Sequence, residues 1–308
     1  MSIHWKKRRV LVSGGTGFIG SFLVESLLEA GANVRVPIRA KNYRALSSRR
    51  SEIEWLEGDL RDPRYCAKLV RGVDEVFHLA ACRRNVEEHV RRCGDIAAEN
   101  VRMTLALLEA IREEEISPHV TFFSTANVPP SIDVIGLAQK ENTDGYVLGK
   151  ALAETLWFAA ARQRTFPLLI VRPVGAYGPR DTFSLEGNVI PSLFVKARQS
   201  TREMVVWGSG KQERAFLYVE DLIGAVLRLR QSGAKGIQYV TSNDIVTVRE
   251  LSGMIRDIVQ PELRIAFDRS KPEGQRAIPR LPMPSCLRAF KWTPLEHGLM
   301  RTFSSWNG

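Results

Sequence analysis

The sequence predicts a doubly wound α/β fold built on a parallel sheet, on three observations. Short apolar, β-branched segments alternate with segments of helical period through about residue 173, as expected when parallel strands are joined by helical crossovers. A glycine-rich loop joins the first strand-like segment to the first helical one. The 308 residues, 44% hydrophobic and 25% charged, suit one large domain or two interlocked ones.

The first half of the chain gives six strands in order. "RRVLVSGG" is apolar, β-branched and ended by glycine, which predicts a buried strand. "GFIGSFLVESLLEAG" has helical period and ends at Gly31. The next strands are predicted at "ANVRVPIR", "IEWLEGDL", "DEVFHLAA", "HVTFFSTA" and "FPLLIVRPVGAYG". Long helical stretches at residues 85–115 and in "YVLGKALAETLWFAAARQ" precede the last two.

The order of elements becomes irregular after residue 173. Short strands are predicted at "EMVVWG", "RAFLYV", "IQYV" and "ELRIAF", mixed with two helices, "VEDLIGAVLRLRQ" and "TVRELSGMIRDIV". We therefore expect a first domain at 1–173 with a returning segment near 214–240, and a smaller α/β lobe at 174–308. Ligands of open α/β sheets bind beyond the carboxyl ends of the strands, so a cleft between the two lobes is the expected site.

Composition narrows the classes of partner. The net charge is +10, with basic clusters at 39–50 and 83–92, but these clusters lack the interleaved aromatics of a nucleic-acid surface, so no nucleic-acid partner is expected. No apolar run approaches the roughly 20 residues of a membrane span, and the basic start has no signal-peptide core, which favours a cytoplasmic protein. The four cysteines show no metal spacing, and no metal site is expected.

The loop "VSGGTGFIG" predicts a dinucleotide site. Gly14, Gly17 and Gly20 allow a tight turn and a close approach of the backbone to a pyrophosphate at a helix N-terminus. The cofactor-binding residues expected here are Gly14, Thr16, Gly17, Phe18, Ile19 and Gly20.

The end of the second strand indicates which dinucleotide is bound. An acidic residue there would bind the ribose of NAD, but "VRVPIRAKNYR" contains none. Arg39 stands where a guanidinium pairs with a 2′-phosphate, with Lys41 and Arg44 nearby. NADP(H) is therefore favoured, with NAD as the alternative.

Several motifs together resemble a known family. "GGTGFIG", "GDL", "FHLAA", "FFSTANV", the Tyr146–Lys150 pair and "VRPVGAYGPR" have the order and spacing of the extended short-chain dehydrogenases/reductases, and more narrowly of the NAD-dependent epimerase/dehydratase group. The later motifs "EGNVIPSLF", "VVWGSGKQERAFLYVEDL" and "DRSKPEGQ" resemble most closely the GDP-fucose synthase branch. The resemblance covers nearly the whole chain and implies a Rossmann-type NAD(P)-binding domain with a mainly substrate-binding second lobe.

The resemblance also implies residue roles. Tyr146 would be the general acid/base, Lys150 its partner, and Thr125 the hydroxyl that completes the triad. Further cofactor contacts would come from Asp59, Leu60, Leu79, Ala80, Ala81 and Pro173, in addition to Tyr146 and Lys150. Substrate contacts would come from Asn127, Asn188, Val189, Trp207 and Arg214. Asn100 is expected to brace the backbone, whereas Arg83 and Arg84 match no family pattern.

Departures from the family pattern reduce the number of reactions that the sequence supports. Asn127 and Asn188 stand where relatives carry acid/base residues for dehydration, decarboxylation or epimerisation at C3 and C5, and an amide has no useful pKa for these steps. Gly149 replaces a usual serine, and Pro129-Pro130 a usual Tyr-Gly. None of the five histidines lies in the site motifs except His78, at the end of the fourth strand.

The sequence therefore predicts an NAD(P)-dependent oxidoreductase acting at C4 of a nucleoside-diphosphate sugar, as a 4-epimerase or a 4-keto-reductase. A GDP-fucose synthase-type enzyme, a reductase of non-sugar carbonyls and a non-catalytic cofactor-sensing protein remain as alternatives. A homodimer is expected, since helix-paired dimers are usual in the family.

Overall fold

The computed structural model describes residues 5–39, 43–242, 245–271 and 280–307, without the side chains at 44, 86 and 307. Lys41, the side chain of Arg44 and part of "DRSKPEGQ" thus lie outside the described residues. The chain forms two compact units. The first consists of residues up to Pro173 together with Val226–Tyr239, and the second of Val174–Ala225 with the residues from Val240 onward.

The first unit is built on a seven-stranded sheet. Its strands are β1 (Arg9–Ser13), β2 (Asn33–Ile38), β3 (Ile53–Glu57), β4 (Glu75–His78), β5 (His119–Phe123), β6 (Leu168–Pro173) and β10 (Gly236–Val240). They lie in the order β10-β6-β5-β4-β1-β2-β3. The five neighbouring pairs among β1 to β6 are parallel, which confirms the predicted doubly wound α/β class.

Helices cover both faces of this sheet, as doubly wound connections require. They are α1 (Phe18–Glu29), α2 (Pro63–Val70), α3 (Val86–Arg91), α4 (Cys93–Glu113), α5 (Val134–Ala138) and α6 (Gly145–Arg164), with a 3₁₀ segment at Arg44–Glu52. α2, α4 and α6 pack an apolar face against the inner strands, in a core that includes Leu69, Leu107 and Trp157, none of them exposed. This packing fixes the carboxyl ends of β1 to β6 along one edge.

One long stretch predicted as helical differs in the structure. Residues 85–115 form two helices, α3 and α4, because Arg92 between them has φ −118° and ψ 38°. Asn85 caps α3 by accepting the N–H of Glu88. The break separates α3 from α4, and α3 contributes to the site described below.

The returning segment is held to the first sheet by a buried ion pair. Helix α8 (Val219–Gln231) ends near Arg230, whose Nη2 lies 2.8 Å from Oε1 of the buried Glu75 in β4. Arg8 Nη1 lies 3.0 Å from the same oxygen. Two guanidinium groups thus share one carboxylate, which compensates its removal from water. The "IQYV" strand, β10, consequently belongs to the seven-stranded sheet.

The second unit contains two small sheets. β9 (Glu213–Tyr218) lies between β7 (Gly175–Tyr177) and β11 (Ile245–Thr247), while β8 (Glu203–Trp207) pairs in parallel with β12 (Arg264–Asp268). Its helices include α7 (Val189–Gln199), α9 (Val248–Val259) and α10 (Leu295–Asn307). Its core includes Phe194, Leu251 and Leu299, all fully buried. Within the described residues of either unit, no helix is both long and apolar enough to cross a membrane.

Candidate active site

The residues expected to bind the cofactor in the first unit come directly after its parallel strands. They follow β1 at residues 14–20, β2 at Arg39, β3 at Asp59 and Leu60, β4 at Leu79 to Ala81, and they close β6 at Pro173. The carboxyl ends of parallel strands meet at one edge of a sheet, so this edge is the candidate site.

The glycine loop forms a cradle that side chains would fill. Gly14 has φ +77°, and a Cβ there would lie 2.7 Å from the backbone nitrogen of Ala80. A Cβ on Gly20 would lie 2.1 Å from the oxygen of Gly14. No side chain among the described residues caps α1 at Gly17, so the positive end of this helix is left for an anion. This arrangement fits the pyrophosphate of a dinucleotide.

Asp59 after β3 belongs to an ion-pair network. Arg61 Nη2 lies 2.5 Å from Asp59 Oδ2, and Arg61 Nη1 donates to both oxygens of Glu99 at 2.9 Å. The hydrogen bond from Arg61 lowers the pKa of Asp59, and the nearby charge of Arg39 lowers it further. Arg61 therefore orients the carboxylate that was expected to contact the adenine, a partnership that the sequence did not indicate.

Strand β4 ends in a neutral, buried histidine. His78 Nδ1 lies 2.6 Å from Ser13 Oγ, and its ring stacks on Phe122 with centroids 5.5 Å apart. Burial, assisted by the charge of Lys150, lowers the pKa of His78 to about 3. The backbone nitrogens of Leu79 and Ala80 both donate to Ser13 O at 3.1 Å. This ties the end of β4 to the end of β1.

Helix α6 carries the Tyr146–Lys150 pair and packs closely on α4. Asp144 caps α6 by accepting the N–H groups of Tyr146 and Val147 at 2.8 and 3.1 Å. Gly145 and Gly149 are buried on the α4 side. A Cβ at Gly149 would meet the Cα of Ala97 at 3.0 Å. The departure from serine at position 149 therefore serves a close helix contact.

Lys150 is fully buried at the end of β5. Its Nζ donates to Phe123 O at 2.7 Å and lies 4.6 Å from the ring centroid of Phe122 and 5.7 Å from that of Tyr146. Burial lowers the pKa of Lys150 to about 7, while Glu154, one turn later, opposes this shift. The ammonium is thus fixed between β5 and Tyr146.

Tyr146 has two cationic or aromatic neighbours from the segment after β4. The ring of His89 is stacked on it, with centroids 5.5 Å apart and planes 14° from parallel. The guanidinium carbon of Arg83 lies 5.8 Å from the ring centroid. Burial raises the pKa of Tyr146, Arg83 lowers it and Asp144 raises it. The net shift is upward, so the phenol is protonated at neutral pH.

The loop after β5 carries Thr125 and Asn127. Thr125 Oγ1 accepts the N–H of Asn127 at 3.2 Å, and the Ala126 N–H donates to Pro173 O at 3.0 Å. Asn127 is exposed and Thr125 partly exposed. The hydroxyl of the preceding Ser124 is buried and has no partner among the described residues.

A buried ion pair braces this loop against α6. Arg172 in β6 donates to both oxygens of Glu154, at 2.9 and 2.6 Å, and neither side chain is exposed. Its Nη1 also donates to the carbonyls of Val128 and Pro129 at 3.2 and 3.0 Å. The Pro129-Pro130 departure is thus accommodated by a loop whose carbonyls are held by Arg172.

Asn100 braces the backbone as expected. Its side chain accepts the N–H of Cys82 at 3.0 Å and donates to the Cys82 carbonyl at 3.1 Å. This fixes the start of the segment that carries Arg83, Arg84 and His89. No motif of the sequence assigns a role to Arg83 or Arg84, and His89 lies outside the site motifs. Arg83 and His89 are far from Tyr146 in sequence but close to it in the structure. No local sequence pattern predicts such contacts.

The four substrate-binding residues expected in the second unit lie at the start of one helix and on two strands of that unit. Asn188 precedes α7 and its Nδ2 lies 3.4 Å from Asp181 Oδ2, while Val189 begins the helix and is exposed. Trp207 ends β8, is 54% exposed, and has Lys196 and Lys271 nitrogens 5.1 and 5.6 Å from its ring centroid. Arg214 lies in β9 opposite Val246 and donates to Glu213 O at 2.6 Å.

In the described part of the chain, no group of three or more His, Cys, Asp or Glu side chains is arranged to hold a metal ion. All four cysteines fall in that part and are thiols. Among the described residues, the groups that can act on a ligand include the glycine cradle, the Tyr146–Lys150 pair and the hydroxyl of Thr125.

Comparison with known proteins gives a family model and full-length relatives. The model described as the NAD dependent epimerase/dehydratase family matches residues 10–242. A dTDP-4-dehydro-6-deoxy-D-allose reductase from Streptomyces sp is 32% identical over 88% of this chain and 87% of its own length. Its counterpart from Streptomyces bikiniensis is 31% identical over 97% and 96%.

A solved structure supports the fold. The UDP-N-acetylglucosamine 4-epimerase from Methanobrevibacter ruminantium M1, in complex with UDP-N-acetylmuramic acid, has a TM-score of 0.83 and 24% identity. The alignment covers 98% of this chain and 99% of that one.

Proposed function

The chain belongs to the NAD dependent epimerase/dehydratase family and is an enzyme of hydride transfer on nucleotide sugars. Within this family, we propose that it is a 4-keto-reductase. The substrate would be a nucleoside-diphosphate-4-keto-hexose, and the product the corresponding 4-hydroxy sugar. The reaction adds a hydride to C4 and a proton to the C4 oxygen, and oxidises one reduced nicotinamide.

The observation that carries this proposal is the Tyr146–Lys150 pair, in which Lys150 is buried and Tyr146 is partly buried. Both side chains come from one face of α6, because residues four apart share a helix face. Lys150 is anchored on the carbonyl that ends β5, two residues before Thr125. A proton donor, a fixed ammonium and a hydroxyl therefore lie at the carboxyl edge of the sheet, as proton transfer to a carbonyl requires.

The protonation state of Tyr146 supports reduction. Burial raises the pKa of Tyr146, so this side chain holds its proton at neutral pH and serves as the acid that protonates the C4 oxygen. Lys150 would then stabilise the phenolate, and Thr125 would hold the same oxygen by a hydrogen bond. Oxidation, the first step of an epimerase, would need the phenolate instead. The two reductases among the relatives point the same way.

The residues present fit a nicotinamide dinucleotide, which would supply the hydride. The cradle at Gly14 to Gly20 would hold its pyrophosphate, Asp59 its adenosine half, and Ala80 and Ala81 leave room along β4. The exposed Arg39 and the absence of an acid at the end of β2 support NADPH over NADH. Lys150 would also hold the nicotinamide ribose.

The second unit would bind the nucleoside diphosphate. Trp207 offers an exposed ring on which a base stacks, and Arg214 a guanidinium that suits a diphosphate. Asn127, Asn188 and Val189 would contact the sugar or phosphate. Because Asn127 and Asn188 cannot remove a carbon-bound proton, the reaction would be confined to C4.

We also propose a homodimer paired through α4 and α6. Leu105 on α4 is 46% exposed and Phe158 on α6 is 38% exposed, and such apolar side chains support a helix-to-helix contact between copies.

The test is an isotope experiment with 4-deuterated NADPH and dTDP-4-dehydro-6-deoxy-allose, the sugar named for the two relatives. We expect deuterium at C4 of the product and none at C3 or C5 when the reaction is repeated in D₂O, measured by proton NMR and mass spectrometry. Tyr146→Phe should lower turnover by roughly 10²-fold or more and leave the dissociation constant of NADPH unchanged.

Three other outcomes would change the assignment. Interconversion of sugars without deuterium at C4 and without net oxidation of NADPH would identify a 4-epimerase. Solvent deuterium at C3 or C5 would instead favour the fucose synthase-type reaction. Normal turnover by Tyr146→Phe would remove this side chain from the chemistry.

A further inference from the structure

We propose that His89 is a positioning residue for Tyr146: its imidazole stacks on the phenol and holds the hydroxyl in its reactive orientation. The inference deepens the proposed function and rests on it for the role of Tyr146. His89 lies on α3, outside every motif that carries the family resemblance.

The first support is the geometry of the two rings. Their centroids are 5.5 Å apart and their planes deviate by 14° from parallel, an offset stack of the kind that aromatic side chains prefer. The His89 side chain is 6% exposed. A buried ring in this position limits the rotation of Tyr146 on the face that it covers.

Both nitrogens of His89 are engaged. Nε2 accepts the backbone N–H of Arg84 at 3.0 Å, and since a backbone amide only donates, the ring proton belongs on Nδ1. Nδ1 lies 3.4 Å from Asp144 Oδ1. Because both ring nitrogens are committed to partners within the protein, the contribution that we infer for His89 is orientation. This keeps intact the expectation that no proton is exchanged at C3 or C5.

One carboxylate couples the imidazole to the backbone of Tyr146. Asp144 Oδ1 accepts the N–H of Tyr146 at 2.8 Å and faces Nδ1 of His89. Asp144 thus holds the main chain of Tyr146 directly and contacts its ring through His89. Asn100, by holding Cys82, fixes the other end of the segment.

The test compares variants that remove the ring with one that keeps it. His89→Ala and His89→Gln remove the stack, whereas His89→Phe replaces it with another flat ring. With 4-keto sugar and NADPH, we expect kcat to fall about tenfold in the first two variants, because a misplaced reacting group loses rate rather than affinity. KM and the dissociation constant of NADPH should stay within about twofold. His89→Phe should retain kcat within about threefold.

A second measurement reads the contact without substrate. With ring-¹³C-tyrosine, the Tyr146 signal is assigned as the one absent from Tyr146→Phe. We expect this signal to shift and broaden in His89→Ala and His89→Gln, and to stay sharp in His89→Phe. His119→Ala is the matched control, because His119 begins β5, at the opposite end of the strand from the site, and should leave the signal unchanged.

The two measurements separate the two proposals. If the wild-type protein reduces no 4-keto sugar, the proposed function fails, and the NMR comparison still decides whether His89 orders the Tyr146 ring. An unchanged Tyr146 signal in both ring-less variants overturns the inference. So does a normal kcat in those variants, or a loss confined to KM.

Discussion

At the scale of single residues, Tyr146 depends on neighbours that are distant in sequence. Burial raises the pKa of Tyr146, the charge of Arg83 lowers it, and the charge of Asp144 raises it. Lys150 is set on the Phe123 carbonyl rather than on the phenol. The Tyr146 phenol is therefore held in its protonated form, which is the form that the proposed reductase would use first.

Arg39 is the residue on which cofactor choice is proposed to depend. We predict that Arg39→Asp weakens NADP(H) binding by roughly 1.5–3 kcal/mol, the value of one charge-assisted bidentate contact, and changes NAD(H) binding far less. Titration calorimetry with both cofactors measures the difference. Arg112→Asp makes the same charge change near the end of α4, away from the carboxyl edge, and should alter neither affinity. Equal losses for both cofactors in Arg39→Asp would contradict the role.

At the scale of elements, the contact between α4 and α6 sets the position of the Tyr146–Lys150 pair. Gly145 is the tightest point, since a Cβ there would lie 2.3 Å from the oxygen and 2.5 Å from the Cα of Cys93. These are backbone atoms, which cannot rotate away. Because Gly145 has no side chain, α6 packs closely against α4. This contact fixes the position of α6 along its neighbour.

We predict that Gly145→Ala lowers the free energy of unfolding by about 2–3 kcal/mol, because overpacking forces the two backbones apart. Urea denaturation measures the loss, and turnover should fall because Tyr146 is the next residue. Gly94→Ala is the control within α4, where an added Cβ meets nothing within 4 Å. It should be neutral or stabilising by about 0.4–1 kcal/mol. Similar stabilities for the two variants would contradict the packing argument.

The Arg172–Glu154 pair links β6, α6 and the loop after β5. We predict that Glu154→Gln costs about 3 kcal/mol of stability, because it leaves the guanidinium buried without its counter-charge. Glu114→Gln, which breaks an ion pair with the exposed Arg71, should cost much less stability, because water screens exposed charges. Thermal or urea unfolding of the two variants makes the comparison.

The same substitution has a second effect, on Lys150. Burial lowers the pKa of Lys150 to about 7, even though the charge of Glu154 raises it. The ammonium is present below this pKa and lost above it, so kcat of reduction should fall as pH rises through about 7. Without the Glu154 charge this fall should begin at lower pH. An unmoved pH profile would mean that Lys150 does not act as an ammonium.

At the scale of the whole molecule, the buried His78 and the partly buried His119 contribute to the response to acid. The pKa of His78 is about 3 and that of His119 about 4, both depressed chiefly by burial. An unfolded chain takes up these protons as pH falls through about 6.5, whereas the folded chain does not. Stability is therefore fully present above pH 6.5 and declines as pH falls toward 4, by up to about 1.4 kcal/mol per pH unit for each group.

We predict that the free energy of unfolding, measured by urea titration at several pH values, falls steadily between pH 6.5 and 4. His78→Gln should reduce this slope, even though the loss of the Ser13 and Phe122 contacts lowers stability at every pH. Asp59 and Asp144, with lowered pKa values, add to the loss only below their ordinary values near 4. A slope equal to that of the wild type in His78→Gln would contradict the burial argument.

The sequence by itself determined the parts that depend on neighbours along the chain. The six strands β1 to β6, the glycine turn at Gly14 and the Tyr146–Lys150 spacing all follow from local periodicity or backbone freedom. Family resemblance extended this to the reaction class. The bracing role of Asn100 was also foreseen.

Only the tertiary structure decided the contacts between segments. It divided the 85–115 stretch at Arg92, placed β10 next to β6, bridged Asp59 and Glu99 through Arg61, and brought His89 and Arg83 near Tyr146. Each of these contacts is set by how crossover helices pack on a sheet. Because packing joins residues that are dozens of positions apart, no local period or propensity of the sequence specifies which side chains meet.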